Sequence, residues 1–166
     1  MKQFITPDNL GSEFNQGGEI PDKVTLSMKH ARLSIEPSQI TNIGAPWNPI
    51  VIADPSMDTI GVSVAGGQVT LPVGVYLIDF VVTYFDNNSA RAAHRQRILI
   101  DGAEYSQHEG HNYLRDASNH DSASNVYPDI FAVADGQAIS IEAQTNSSLV
   151  GTTEVTGGWV RLLKVA

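Results

Sequence analysis

The sequence predicts an all-β protein built as an antiparallel sandwich, and three observations predict it. No stretch repeats apolar residues at helical spacing. Short alternating or apolar runs recur at regular intervals, separated by Gly, Pro, Asn and Asp turn signals. Residues 75–85 form one strand that is apolar on both faces. Its even positions carry Tyr76, Ile78, Phe80, Val82 and Tyr84; its odd positions carry Val75, Leu77, Val81 and Phe85, interrupted by Asp79 and Thr83. Side chains alternate across a strand, and an antiparallel sheet normally buries one face and wets the other. A strand apolar on both faces needs two covers. One is the second sheet of the sandwich; the other is most simply a second copy of the protein.

The elements follow in order. Residues 1–27 carry breakers at Pro7, Gly11, Gly17, Gly18 and Pro21, yet Phe4, Ile5, Leu10, Phe14 and Ile20 are scattered among them. Disordered tails are poor in such aromatics, so this stretch reads as an extended arm that needs a surface to lie on, or equally as an N-terminal segment that packs on its own domain. Residues 28–166 form the folded domain. Residues 31–35 alternate as a strand, and 37–49 are loop around Trp47. Residues 49–53 are a short strand ended by Asp54-Pro55. Residues 59–65 are another, closed by a Gly66-Gly67 hairpin turn. A short strand at 68–71 meets a Pro72/Gly74 turn before the long strand. A turn at 86–89, a strand at 91–100 and an Asp101-Gly102 turn come next. Residues 107–125 lose the pattern and read as a long polar loop. Strands resume at 126–133 and 138–143, with brief pairing at 149–153 and a last strand at 159–165.

Four pieces carry a family resemblance. Thr70-Leu71-Pro72-Val73-Gly74-Val75-Tyr76 resembles the P-x-x-G-x-Y segment of the C1q/TNF-like jelly rolls. Three later pieces fall in that family's order: the strand and turn at 97–104, the alternating strand after Asp135-Gly136, and the closing Gly157-Gly158-Trp159 strand. The usual Gly-Asp is reversed at Asp135-Gly136, and Trp159 stands where Phe is common. The resemblance spans about residues 60–166. It implies an antiparallel jelly-roll sandwich and a trimeric habit. In such a trimer the two-faced strand packs toward both the core and the threefold axis; Tyr76, Phe80, Tyr84 and Trp159 are the candidate interface residues, and which face of the strand meets the axis stays open. It implies no ligand, since this fold hosts many functions.

Composition sets the outer bounds. The 166 residues suit one domain with a real core. Net charge is −8, so wrapping nucleic acid is not expected, because phosphate binding needs clustered Lys and Arg. There is no cysteine, which excludes disulfides and thiolate metal sites. No run is long and apolar enough for a membrane-spanning helix, and Met1 to Asp8 lacks a signal-peptide apolar core. A protein made in a cytoplasm, without a membrane partner, is expected.

Candidate chemistry is thin. Gly61-Val62-Ser63-Val64-Ala65 half-matches a nucleophile elbow, but lacks the fifth Gly and the following helix. His108-Glu109-Gly110-His111 is one residue short of a zinc-protease motif, and a Gly in a polar loop undercuts the required helix. With His120, and with His94 approaching in space, divalent-ion binding is chemically possible; a polar loop without metal is preferred. His108, His111, Tyr113 and His120 are the candidate ligand-contacting residues of that loop. Trp47, Tyr105, Tyr113 and Tyr127 are loop aromatics that suit sugar stacking or simple packing. Asp79 must be paired, with Arg91, Arg95, Arg97 or Arg161 as its partner. No convergent catalytic set emerges, so a non-enzymatic protein without cofactor or metal is expected. Function is expected at a virion: a homotrimeric phage capsid decoration (cement) protein whose arm grips the major capsid protein through Phe4, Ile5, Leu10, Phe14 and Ile20. The alternative is the glycan-binding head of a phage tail fibre or spike.

Overall fold

Strand alternation and hairpin chemistry together produce two packed sheets. The computed structural model describes residues 28–41, 46–87, 92–105, 110–114, 118–147 and 152–165. These hold strands β1 (Lys29–Ile35), β2 (Ser38–Thr41), β3 (Asn48–Pro49), β4 (Ile52–Asp58), β5 (Ser63–Ala65), β6 (Gln68–Thr70) and β7 (Gly74–Asn87). They continue with β8 (Ala92–Ile100), β9 (Ala103–Glu104), β10 (Gly110–Leu114), β11 (Ser118–Val133), β12 (Ala138–Ser147) and β13 (Thr152–Lys164), with no helix among the described residues. The first sheet runs β11-β7-β13-β1-β4, with β2 on β13; the second runs β10-β8-β12-β6-β5, with β3 on β12 and β9 on β8. All pairings are antiparallel.

Both predicted hairpin turns form. Asp101 (φ 49°) and Gly102 (φ 77°) turn β8 into β9, and Gly66 (φ 59°) and Gly67 (φ 78°) turn β5 into β6. Positive φ at both central residues is the type I′ requirement, which matches strand twist. The core between the sheets holds Tyr76, Ile78, Phe80, Val82 and Tyr84 of β7 against Ile98, Ile139, Ile141 and Phe131.

Several expectations are corrected. The long polar loop is largely sheet: β10 pairs with β8, and β11 pairs along nearly all of β7. Both are end strands of their sheets among the described residues, where one side has no hydrogen-bonded strand and polar sequence costs little. Residues 59–62 are not strand. Asp58 carboxylate oxygens instead accept from the N–H groups of Ile60 (2.8 Å), Gly61 (2.9 Å) and Val62 (2.9 Å). Asp54-Pro55 does not end a strand. β4 runs through it with register shifts against β1, which its edge position permits, since an edge proline need not donate. Ser38–Thr41, read as loop, pairs with β13; of the brief pairing expected at 149–153, Thr152 and Thr153 open the long β13, and 149–151 lie outside the described residues.

Candidate functional site: the outer face of the first sheet

Tyr76, Phe80 and Tyr84 do not form a subunit interface. All three are 0% exposed within the sandwich, because alternation turns every even position of β7 inward. The outward positions are Val75, Leu77, Asp79, Val81, Thr83 and Phe85, each half-buried. Trp159 does face outward, in register between Val81 on β7 and Ser34 on β1.

This outer face divides into two halves. On the β7–β11 half, Leu77 lies opposite Ile130 and Val75 opposite Ala132; Val81 continues this apolar surface as far as Asn125, while Phe85 stands in register between Asp121 of β11 and Glu154 of β13. The β13–β1 half is cationic. Arg32 of β1 lies opposite Arg161 of β13, which lies opposite Asp79 of β7. Arg161 pairs with the Asp79 carboxylate, which settles that strand-interrupting charge. The two guanidiniums stand 6.0 and 5.6 Å from the Trp159 ring centre, within cation–π range. Arg32 has no ion-pair partner among the described residues. Two shallow grooves flank Arg161. One, of about 190 Å³, is lined by Arg32, Trp159 and Arg161. The other, of about 350 Å³, is lined by Met28, His30, Leu77, Arg161 and Leu163.

A glycine pair shapes this face. Gly157 and Gly158 (φ 147° and 143°) sit at a bulge in β13. A Cβ on Gly158 would collide with the Val81 carbonyl, so the close approach of β13 to β7 beside Trp159 requires glycine.

A second polar arrangement lies inside the sandwich and ties its sheets at one end. Asp86 of β7 meets His94 Nε2 of β8 at 2.7 Å and accepts from Thr153 Oγ1 of β13 at 2.7 Å. His94 Nδ1 is 3.0 Å from Thr145 Oγ1 of β12, and the imidazole stacks on Tyr84 at 4.2 Å. Gln96 Nε2 donates to the Tyr84 hydroxyl. Burial pushes that hydroxyl's pKa up; the Gln96 bond opposes the shift and the Asp86 charge adds to it. The Thr–His–Asp order matches a proton relay in kind. With Asp86, His94, Thr145 and Thr153 at 0–1% exposure, no substrate atom reaches it. Its role is to close the sandwich with hydrogen bonds shared by Asp86, His94, Thr145 and Thr153; Gln96 Oε1 beside them is buried without a partner among the described residues. Asp86 was missed as a site residue because its position beside Asn87-Asn88-Ser89 reads as a turn.

The other sequence candidates scatter. Tyr113 is exposed on β10. His111 pairs through its backbone with Arg95, and His120 with Asp86. His108, Phe4, Ile5, Leu10, Phe14 and Ile20 lie outside the described residues. Among the described residues no group of three His, Asp or Glu is placed to hold a metal. Ser63 is an exposed strand residue of β5, with no helix after it.

The fold defines the class: a C1q/TNF-like jelly roll. The crystal structure of murine APRIL at pH 5.0 superposes with a TM-score of 0.56 at 15% identity, covering 82% of this chain and 100% of that one. The globular domain of zebrafish complement 1qA gives a TM-score of 0.56 at 13% identity, covering 84% and 98%. The Eiger TNF of S. frugiperda gives 0.53 at 9%, covering 83% and 94%. At these identities the likeness is one of fold. No protein-family model and no curated protein matches the sequence.

Proposed function

We propose that this chain works by assembly rather than by chemistry: a homotrimer that decorates a phage capsid, with its N-terminal arm bound to the major capsid protein. The apolar β7–β11 half of the outer face carries this reading. Ile130 is 58% exposed there in a single chain, and Val75 and Val81 continue the same surface. Apolar patches of this kind mark interaction sites, and closed cyclic symmetry is the common way to bury one. The stretch around Val75, Ile130 and Ala132 has no charged residue in register, which suits an axis, where identical residues converge and like charges would repel.

The capsid reading draws on the arm. Phe4, Ile5 and Leu10 stand among helix and strand breakers, a composition suited to lying along another protein. Bound on a shell, such a trimer stabilises it by mass action, because it binds the assembled form only. Light scattering on the full chain and on a chain lacking residues 1–20 gives the first test. Both should have the mass of three chains, and only the full chain should sediment with capsids. A truncated trimer that binds capsids undiminished would sink the arm's role, and a monomer would sink the trimer.

The receptor-head alternative rests on Tyr113, an exposed aromatic on the end strand β10. It requires glycan binding that Tyr113→Ala abolishes.

A further inference from the structure

The cationic half of the outer face is unsuited to a symmetric contact, and its occupant must differ from a second copy of the same face. Arg32 and Arg161 are cross-strand neighbours of like charge, an arrangement that destabilises a sheet unless an anion offsets it. Asp79 serves Arg161. Nothing described serves Arg32, whose only ring contact is Trp159. The neighbouring groove is apolar on its floor, with Leu77 and Leu163, and has Met28 and His30 at its rim.

We infer that residues 13–22 of this chain's own arm lie across these two grooves. Their chemistry matches. Glu13, Glu19 and Asp22 supply three carboxylates with no Lys or Arg among the ten residues, and Phe14 and Ile20 supply two apolar anchors. The acidic residues meet Arg32 and the Trp159–Arg161 groove; an apolar anchor fills the groove over Leu77 and Leu163.

The connection matches as well. The described chain begins at Met28, which lines the apolar groove and accepts from His30 Nδ1 (3.3 Å) through its carbonyl. Pro21, Gly17 and Gly18 allow the chain to turn back over the sheet. Trp159 and Leu163 are four residues apart, a span of about 13 Å on one strand. Ten extended residues reach about 33 Å, so residues 13–22 are long enough, and Phe4, Ile5 and Leu10 remain beyond them. The arm is thereby split. Its proximal part is strapped to the body and aims its distal part at a partner. Assigning the strap to this half rests on the trimeric reading; occupancy by the arm does not.

Trp159 reports on the strap. In a Trp47→Phe background it is the one remaining tryptophan. Removing residues 1–22 should make Trp159 emission shift to the red and become more readily quenched by acrylamide. A synthetic peptide of residues 11–24 should reverse both changes, with affinity that falls with salt. Arg32→Glu in the truncated chain should weaken that peptide about tenfold, as loss of a charge-assisted contact does, and Glu19→Arg in the peptide should recover part of it. Quenching that is the same with and without the arm overturns the inference. If that quenching instead rises on dilution, a second copy is the occupant. Should Trp47→Phe fail to fold, the salt-dependent binding of the peptide to the truncated Trp47-containing chain and its Arg32→Glu variant decides the same question. The mass of the same samples is read separately. A monomer with a protected Trp159 defeats the trimer and keeps the strap; a trimer with an indifferent Trp159 does the reverse.

Discussion

The two sheets present opposite outer faces. On the second sheet, Arg97 is fully engaged. Its guanidinium pairs with Glu142 at 2.6 Å and Glu104 at 2.8 Å, and stacks over Trp47 at 4.4 Å. Ser140 and Gln144 continue a polar strand beside it. On the first sheet, the outward positions of β7 are mostly apolar, and Arg32 lacks an ionic partner among the described residues. Both faces belong to one alternating sandwich, so the difference is not a requirement of the fold. A face whose charges are internally matched is finished in water. On the proposed reading, a face with an apolar half and a cation without an ionic partner among the described residues is covered by a second subunit and by the arm.

The comparison holds only while the sheets stay locked together, and the largest expected effect tests the lock. Asp86→Ala leaves His94 and Thr153 without their shared acceptor inside the sandwich. Leaving a buried donor without its acceptor costs about 1–3 kcal/mol for each group. Urea unfolding should show the midpoint falling accordingly, with both outer faces lost in one transition. A midpoint shift under about 1 kcal/mol, in the range of exposed pairs, would mean the cluster is not a lock.

The next effect separates the faces. Ile130→Asp changes an exposed residue, so the single chain should fold as before. At a subunit contact the same carboxylate meets apolar surface and its own copies. Association should weaken about a hundredfold or more, since like-charge juxtaposition costs several kcal/mol. Ser140→Asp on the second sheet is the matched control and should leave the mass unchanged. Equal behaviour of the two variants would erase the distinction between the faces.

Much of this was legible in the sequence, for a physical reason. Alternation exposes its period directly, so the two-faced strand and the I′ turns at Gly66-Gly67 and Asp101-Gly102 could be read. Trp159 on an outward face and Arg161 as a partner of Asp79 were within reach of the same logic. Which parity of β7 faces inward was not, because both sets are apolar; the sequence of the strand alone is nearly symmetric. Tyr76, Phe80 and Tyr84 were therefore placed at the interface when they fill the core. The β10–β11 stretch was hidden for a different reason. End strands tolerate polar residues, so pattern and pairing part company there. The buried cluster was hidden because hydrogen bonds between Asp86, His94, Thr145 and Thr153 join residues up to 67 positions apart, a separation no local pattern records.

A smaller effect reads the interior between the faces through pH. Burial raises the Tyr84 hydroxyl pKa, while an unfolded tyrosine titrates near about 10. The folded state therefore holds its proton where the unfolded state releases it. The resulting stability is fully present below about pH 10 and is lost as pH rises above it, with a slope of at most about 1.4 kcal/mol per pH unit for one group. Tyr84→Phe should flatten that alkaline slope. An unchanged slope would place the alkaline sensitivity elsewhere.

The smallest effect sharpens the comparison most, because it asks whether the second sheet's face is as self-sufficient as its contacts suggest. Arg97→Ala removes two ion pairs and the Trp47 stack. Glu104 is 44% exposed and water replaces its partner, so that pair adds little. Glu142 is less exposed and the Trp47 stack adds a packing contribution. Surface pairs are worth about 0–1 kcal/mol, and salt screens them further. The urea midpoint should fall by no more than that, the mass should not change, and the loss should shrink in high salt. A mass change on Arg97→Ala would reverse the assignment of the faces, making the charged sheet the one that meets a partner and leaving the apolar half of the first sheet without its role.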